Sequence, residues 1–352
     1  MGVKVEIERY SGNPILEPNP EIEWMSSKVY NPGVVFDRGV YHMLFRARGK
    51  EDGVSRLAYA TSKNGIDWDH EYTPVFGPQK SWENGGTEDP RITKIGKIFY
   101  MTYTANDNGR TARVMQTSTS DFHIWHDRSL MFPNWHEGIW NDPGKRKIIV
   151  PTWDPSNWSE KDLNWSKSAG IFPEKIGGKY WLFFGEDRIW PAFSKDLKVW
   201  HADRTPVLQP RNGYFDEAYI EMGPPPIRTD GGWLIIYNGI DRFDNSRVYR
   251  IGAALVDLKN VSKVLWRCTE PILEPETHYE LSGVIDVASE YGQGISKDDL
   301  ATKVKNKQTP QAIFCCGAVK TSQNKINLYY GAADRVICLA KLLLLPTTRG
   351  MV

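Results

Sequence analysis

The sharpest chemical cluster in the chain is Glu88-Asp89-Pro90-Arg91. Pro90 fixes its own φ and pushes the residue before it toward extended backbone. Asp89 is therefore predicted to be presented rigidly, with a guanidinium close by. A carboxyl group at a reacting centre serves as a general acid when its surroundings hold its proton. A solvated turn with a surface ion pair would contain the same four residues, and the motif alone leaves both readings open.

Other polar residues recur at matching places. Five segments alternate apolar and aromatic residues after a turn: Gly39–Phe45, Gly96–Tyr103, Gly178–Phe184, Gly232–Tyr237 and Lys325–Tyr330. Each reads as the inner strand of a repeat. Arg46 and Arg48 follow the first, Asn106 and Asp107 the second, Glu186 and Asp187 the third, Asn238 and Asp241 the fourth, and Asp334 the fifth. Asn31-Pro-Gly precedes the first, Glu88-Asp89 the second, and Glu221-Met-Gly-Pro-Pro-Pro the fourth. A second unit, Ser62–Trp68, returns as Ser120–Trp125 and Ser194–Trp200, with a degenerate copy over Asp257–Trp266. An aromatic strand repeated five times, followed in four of the repeats by the turn and Trp, predicts an all-β, five-bladed propeller with a central active-site funnel. Residues 1–352 are read as one such domain. Only Lys297–Lys307 suggests a short helix.

Bulk composition narrows the function. Lys plus Arg number 44 against 43 Asp plus Glu, a net charge of +1. No basic surplus exists to hold a phosphate backbone, so no nucleic-acid partner is expected. No apolar run is long enough for a membrane span or signal sequence, which predicts a soluble cytoplasmic protein. Cys268, Cys315, Cys316 and Cys338 fit no metal spacing and read as buried thiols. His123, His126 and His136 form no ligand pattern, so no metal and no cofactor are expected. Aromatic content is high, with 14 Trp, 16 Tyr and 13 Phe. Trp153, Trp158 and Trp165 could stack on sugar or simply fill gaps between sheets.

These motifs together resemble glycoside hydrolase family 130, the β-mannoside phosphorylases and β-mannosidases. The resemblance runs through Asn31-Pro-Gly, Phe45-Arg46-Ala, Glu88-Asp-Pro-Arg-Ile92, Phe172–Tyr180, Gly223-Pro-Pro-Pro-Ile227, Gly232–Tyr237, Val248–Leu255, Pro271–Pro275 and Tyr329–Asp334. It implies the same five-bladed fold and a β-mannoside substrate. It assigns Asp89 as the general acid, whose proton in the phosphorylases travels through the mannose 3-hydroxyl. It places Asn31 and Asp334 on the mannosyl unit, and Arg46, Arg91 and Lys167 in a phosphate pocket. Tyr103, Asp107, Asn238, Glu186 and Asp187 are further candidates for substrate contact, and Glu186 and Asp187 are also second choices for the base. The resemblance also implies a homo-oligomer, without marking a surface for it.

The departures bear on the nucleophile. Where many phosphorylases carry His-Arg or Asn-Arg, this chain has Phe184-Gly185. Where they have Tyr-His-Gly, it has Tyr237-Asn238-Gly239. Where they tend to read Gly-Ala-Gly-Pro, it has Glu221-Met-Gly-Pro. Phosphate needs charge-assisted donors, and a carboxylate at that place repels it. Glu221 could instead activate water as a general base, opposite an acid, in inverting hydrolysis. An ion pair with Arg46, Arg91 or Lys167 would also account for it. The favoured expectation is an inverting β-mannosidase. The alternatives are a phosphorylase that releases mannose 1-phosphate, with inorganic phosphate as co-substrate, and a non-catalytic mannoside-binding propeller. The segment from residue 288 to 307 has no counterpart in the pattern.

Overall fold

The computed structural model describes residues 3–108, 111–133, 135, 166–241, 248–282 and 311–346. The chain begins with β1 (Val3–Arg9) and then lays down four-stranded blades in order. Blade one is β2 (Lys28–Asp37), β3 (Val40–Arg48), β4 (Arg56–Ser62) and β5 (Asp69–His70). Blade two is β6 (Gly86–Ile95), β7 (Ile98–Asn106), β8 (Ala112–Thr119) and β9 (His126–Leu130). Blade three is β10 (Ala169–Ile171), β11 (Tyr180–Phe184), β12 (Trp190–Ser194) and β13 (His201–Ala202). Blade four is β14 (Tyr219–Met222) with β15 (Ile227–Thr229), then β16 (Gly232–Ile240), β17 (Arg250–Val256) and β18 (Val264–Arg267). Blade five is β19 (Ile313–Lys320), β20 (Lys325–Ala332) and β21 (Val336–Pro346), and β1 supplies its outer strand. β1 pairs with β21 along its whole length, so the N-terminal strand closes the ring.

The expected five-bladed propeller is therefore the observed fold, with one correction. The five aromatic-rich segments read as inner strands are the second strands, β3, β7, β11, β16 and β20. The innermost strands precede them. Strands buried on both faces lose the alternation that would tell the two apart. The Ser-x-Asp/Asn units are the turns between third and fourth strands. Ser62, Thr119 and Ser194 each accept a backbone N–H three residues on. The Asn64, Asp121, Asp196 and Asp257 side chains cap the backbone that follows. These backbone donors hold Asp196 down to about 2.

The innermost strands crowd together at the axis. Gly33 shows how tightly: a Cβ there would lie 2.4 Å from the Pro90 carbonyl oxygen. Three of these strands break register near the axis, β2 between Tyr30 and Gly33, β6 between Glu88 and Arg91, and β19 between Cys315 and Gly317. In blade four the Pro224-Pro225-Pro226 run, lacking N–H donors, separates β14 from β15. Such bulges turn side chains off the ladder and re-aim them. Here they aim into the funnel.

A buried triad recurs in three blades. A Tyr on the second strand donates to a carboxylate in the segment leading into the blade, and an Arg on the outermost strand bonds the same carboxylate. The sets are Tyr103–Glu83–Arg128, Tyr237–Asp216–Arg267 and Tyr330–Glu280–Arg9. Each clamps an entry segment onto its blade. Asp216 is fully buried and also bonds Arg211 at 2.8 Å. Asp216→Asn should therefore destabilise the fold by about 3 kcal/mol, because two guanidinium groups lose a buried counter-charge. Urea unfolding of the variant against the parent measures this.

All four cysteines are buried and unbridged. His123 bonds Glu71 at 2.8 Å, outside the funnel network. No helix among the described residues is long and apolar enough to cross a membrane. Among them, no group of three or more His, Cys, Asp or Glu side chains is arranged to hold a metal ion. Trp153, Trp158, Trp165, His136 and the segments 288–307 and Lys297–Lys307 lie outside the described residues.

Candidate active site

Asp89 stands in the β6 bulge, 3% exposed, with φ at +53°. The predicted extended backbone is not adopted. Asn31, also followed by proline, takes the same left-handed conformation at +49°. Proline disfavours the right-handed helical region before it, and the bulge selects the left-handed one, which Asn and Asp tolerate. The two side chains meet, Asn31 Nδ2 donating to Asp89 Oδ1 at 2.8 Å. The backbone and side chain of Asn31 fit because residue 331 is glycine. A Cβ there would lie 2.4 Å from Asn31 Oδ1 and 2.8 Å from its backbone N. Gly331→Ala should cost about 1–3 kcal/mol of stability and displace Asn31. Thermal unfolding together with kcat/KM checks both effects.

Arg46, from the end of β3, lies over the Tyr30 ring at 4.6 Å. It donates to Glu88 Oε1 at 2.6 Å, to Asp89 Oδ1 at 3.3 Å and to Ser55 Oγ at 2.9 Å. Asn106 also donates to Glu88, at 3.1 Å. Burial alone would raise the Asp89 pKa, but Arg46, Lys167, Arg91 and the Asn31 amide together bring it below the ordinary aspartate value. The resting site thus holds Asp89 as a carboxylate. The condition that its surroundings keep its proton is not met before substrate arrives.

Arg91 is not an open phosphate ligand. It is 1% exposed, and its guanidinium donates to three backbone carbonyls: Gly223 at 2.7 Å, Met222 at 2.7 Å and Asp89 at 2.9 Å. Blades two and four are not neighbours in the ring, so Arg91 ties them across the axis. In doing so it fixes the strand carrying Asp89 relative to the strand carrying Glu221.

Glu221 is 1% exposed on β14. Tyr219 donates to its Oε2 at 2.8 Å, and Ser168 donates to Oε1. Lys167 lies 3.2 Å from Glu186 and 4.0 Å from Glu221. Glu186 and Glu221 are themselves bridged through their backbones. Burial pushes the Glu221 pKa above the ordinary glutamate value; Glu186 adds to this, while Lys167, Arg91 and the Ser168 hydroxyl oppose it. For Lys167, burial works against the charge, but Glu186, Glu221, Asp89 and Glu88 more than offset it and hold the ammonium well above its usual range. The anticipated ion pair for Glu221 therefore exists, yet two carboxylates share one lysine.

The remaining sequence candidates divide. Asp334, at the β20–β21 turn with φ of +52°, is close enough for its charge to act on Lys28, Tyr30 and Arg46. Asp187 bonds its neighbour Arg188 at 2.6 Å. Asp107 accepts from Asn84 at 3.3 Å, one step outside the Glu88 network. Tyr103 is corrected to a packing residue, since its hydroxyl is used by Glu83 and its ring packs on Phe76. Asn238 is corrected as well: it accepts from the Cys315 N–H at 2.9 Å and donates back to the Cys315 carbonyl at 3.5 Å, joining blades four and five. Ser168 and Tyr219 escaped the sequence reading, because neither lies in a recognisable motif.

A five-bladed propeller with buried carboxylates from several blades around its axis is the architecture of a glycoside-processing enzyme. A family model described as β-1,4-mannooligosaccharide phosphorylase matches residues 13–288, and the chain belongs to that family, glycoside hydrolase family 130. It is an enzyme that acts on glycosidic bonds. It is 36% identical to a 1,2-β-oligomannan phosphorylase of Thermoanaerobacter sp. (strain X514), over 96% of this chain and 97% of the relative. It is 33% identical to a β-1,2-mannobiose phosphorylase of the same organism, over 95% and 96%. Among solved structures it resembles, at 28% identity and a TM-score of 0.75, one reported with the finding that this family of mannoside phosphorylases contains glycoside hydrolases that target β-1,2-mannosidic linkages in Candida mannan. That match covers 95% of this chain and 93% of the other.

Proposed function

We propose that this enzyme cleaves β-1,2-mannosidic bonds by a single inverting displacement, with Asp89 as proton donor and Glu221 as the base that activates water. The β-1,2 linkage is supported by the relatives named above, phosphorylases and hydrolases alike. The observation that carries the choice of water is the state of the three cations. Arg46 is engaged by Glu88 and Asp89, Arg91 by backbone carbonyls, and Lys167 by Glu186 and Glu221. A phosphate dianion would meet two buried carboxylates there and would have to displace existing partners. A pKa raised above the ordinary glutamate value makes Glu221 a stronger base than a solvated glutamate.

Asp89 must gain its proton as substrate binds. A sugar seated over it deepens its desolvation, which is the influence already pushing its pKa upward. In this reading Asn31 and Asp334 hold the mannosyl unit beside it.

Phosphorolysis is the second reading. The names of the two relatives above 30% identity support it better than they support hydrolysis. Both readings share the bond, the acid and the stereochemical course. A panel of β-1,2-, β-1,3- and β-1,4-mannobiose, followed by ion chromatography, tests the shared part. Turnover confined to the β-1,2 isomer is expected. Preference for another linkage, or binding without turnover of any, contradicts the proposal.

A further inference from the structure

We infer that Ser168 and Tyr219 are positioning residues for Glu221, each fixing one carboxylate oxygen so that the base is aimed at the reacting water. The inference rests on the reading of Glu221 as base.

The first support is internal symmetry. Ser168 has φ of +53°, beside +49° for Asn31 and +53° for Asp89. All three stand at or just before the innermost strand of their blades, in blades three, one and two respectively. Asn and Asp adopt this conformation with some ease, whereas serine has no such preference. A serine kept there is held by its surroundings, and such residues gather at functional sites. Its hydroxyl is 1% exposed with the rest of the residue and donates to Glu221 Oε1.

The second support lies on β14. Tyr219 precedes Glu221 by two residues, so both side chains leave the same face of the strand. The Tyr219 hydroxyl donates to Oε2 at 2.8 Å. Burial and the nearby Glu186 and Glu221 charges keep that phenol protonated, well above its usual range. A carboxylate oxygen accepts two hydrogen bonds. Among the described residues Oε1 accepts from Ser168, with the Lys167 ammonium farther off at 4.0 Å, and Oε2 accepts from Tyr219, so each oxygen keeps a lone pair for a water proton.

The charged and titratable groups around Glu221 come from every neighbouring element. They are Lys167 before β10, Glu186 after β11, Arg91 on β6, Tyr219 on β14 itself, and Cys316 on β19. Among the described residues, the hydroxyls bonded directly to the carboxylate are those of Tyr219 and of Ser168, which does not titrate. A donor to the charged form lowers a carboxyl pKa, so losing one raises it.

Steady-state kinetics of Ser168→Ala, Ser168→Gly and Tyr219→Phe on β-1,2-manno-oligosaccharides, followed across pH, test the inference. In each variant kcat should fall about tenfold with KM changed less than about twofold. One limb of the kcat/KM profile, that of Glu221, should move up by about one pH unit while the other limb stays. Glycine takes the left-handed conformation freely, so Ser168→Gly should be at least as stable as Ser168→Ala yet show the same shift. That separates the lost hydroxyl from any backbone effect. Three profiles superimposing on the parent, with Glu221→Gln inactive, would overturn the positioning role and leave the base intact. Parental turnover in Glu221→Gln would overturn both.

Discussion

Asp89→Asn is expected to lower kcat/KM by about 10³-fold, within the 10²–10⁴ range for loss of a general acid. At roughly 1.4 kcal/mol per tenfold, this is about 4 kcal/mol of transition-state stabilisation. The amide keeps the size of the side chain but cannot deliver a proton to the leaving oxygen. The same substitution should also lower stability at neutral pH. The sign follows from the depressed pKa of Asp89 in the folded protein. A carboxyl whose folded pKa lies below its unfolded one stabilises the fold above the unfolded value, near 3.8. That contribution is lost as pH falls through the folded value. The difference between parent and variant should therefore shrink on acidification below about pH 4. Chemical denaturation at pH 7 and again near pH 3 reads this directly.

Glu221→Gln should likewise reduce hydrolysis by about 10³-fold, with the opposite effect on stability. Its folded pKa is raised, chiefly by burial. Such a group contributes stability that is fully present below the unfolded value, near 4.5, and lost as pH rises through the folded value. Above that folded value the parent carries a buried charge that the variant does not. Glutamine can still accept from Ser168 or Tyr219. The variant is thus expected to match or exceed the parent in Tm at pH 7, with its advantage vanishing near pH 4. A variant that lost both activity and stability at pH 7 would mark Glu221 as a structural ion-pair partner of Lys167 rather than a base. The two carboxylates should then separate cleanly: both inactivate, and their stability effects run in opposite directions with pH.

Much of this was legible in the chain because it repeats. The blade count is read from the five aromatic strands, with the Ser-x-Asp/Asn turns marking the repeat in three of them. Which strand lies innermost was not legible, since both candidates in each blade are buried on two faces. Asp89 stood out because a proline follows it and an arginine lies two residues on. Asn31 shares the proline and, as it proves, the backbone conformation. Arg91 and Asn238 were misread for one physical reason. A guanidinium or amide at a funnel looks like a ligand in sequence, but both are spent on backbone carbonyls and N–H groups of other blades. Nothing local marks that use. Tyr103 was misread because its partner Glu83 sits in a short 3-10 turn, Ser81–Glu83, with no fixed spacing from it; only the matching positions of Tyr237 and Tyr330 could have revealed the clamp. Ser168 could have been found only by aligning the blades residue by residue on Asn31 and Asp89.

The central claim is that water, activated by Glu221, is the nucleophile. It is tested most directly by incubating the enzyme with β-1,2-mannobiose in buffer with and without inorganic phosphate and resolving the products by NMR as they form. The account predicts free mannose, first released as the α-anomer, at a rate indifferent to phosphate. Mannose 1-phosphate formed only when phosphate is present would contradict it, and would mean that phosphate displaces the partners of Arg46 or Lys167 and enters the site as the nucleophile.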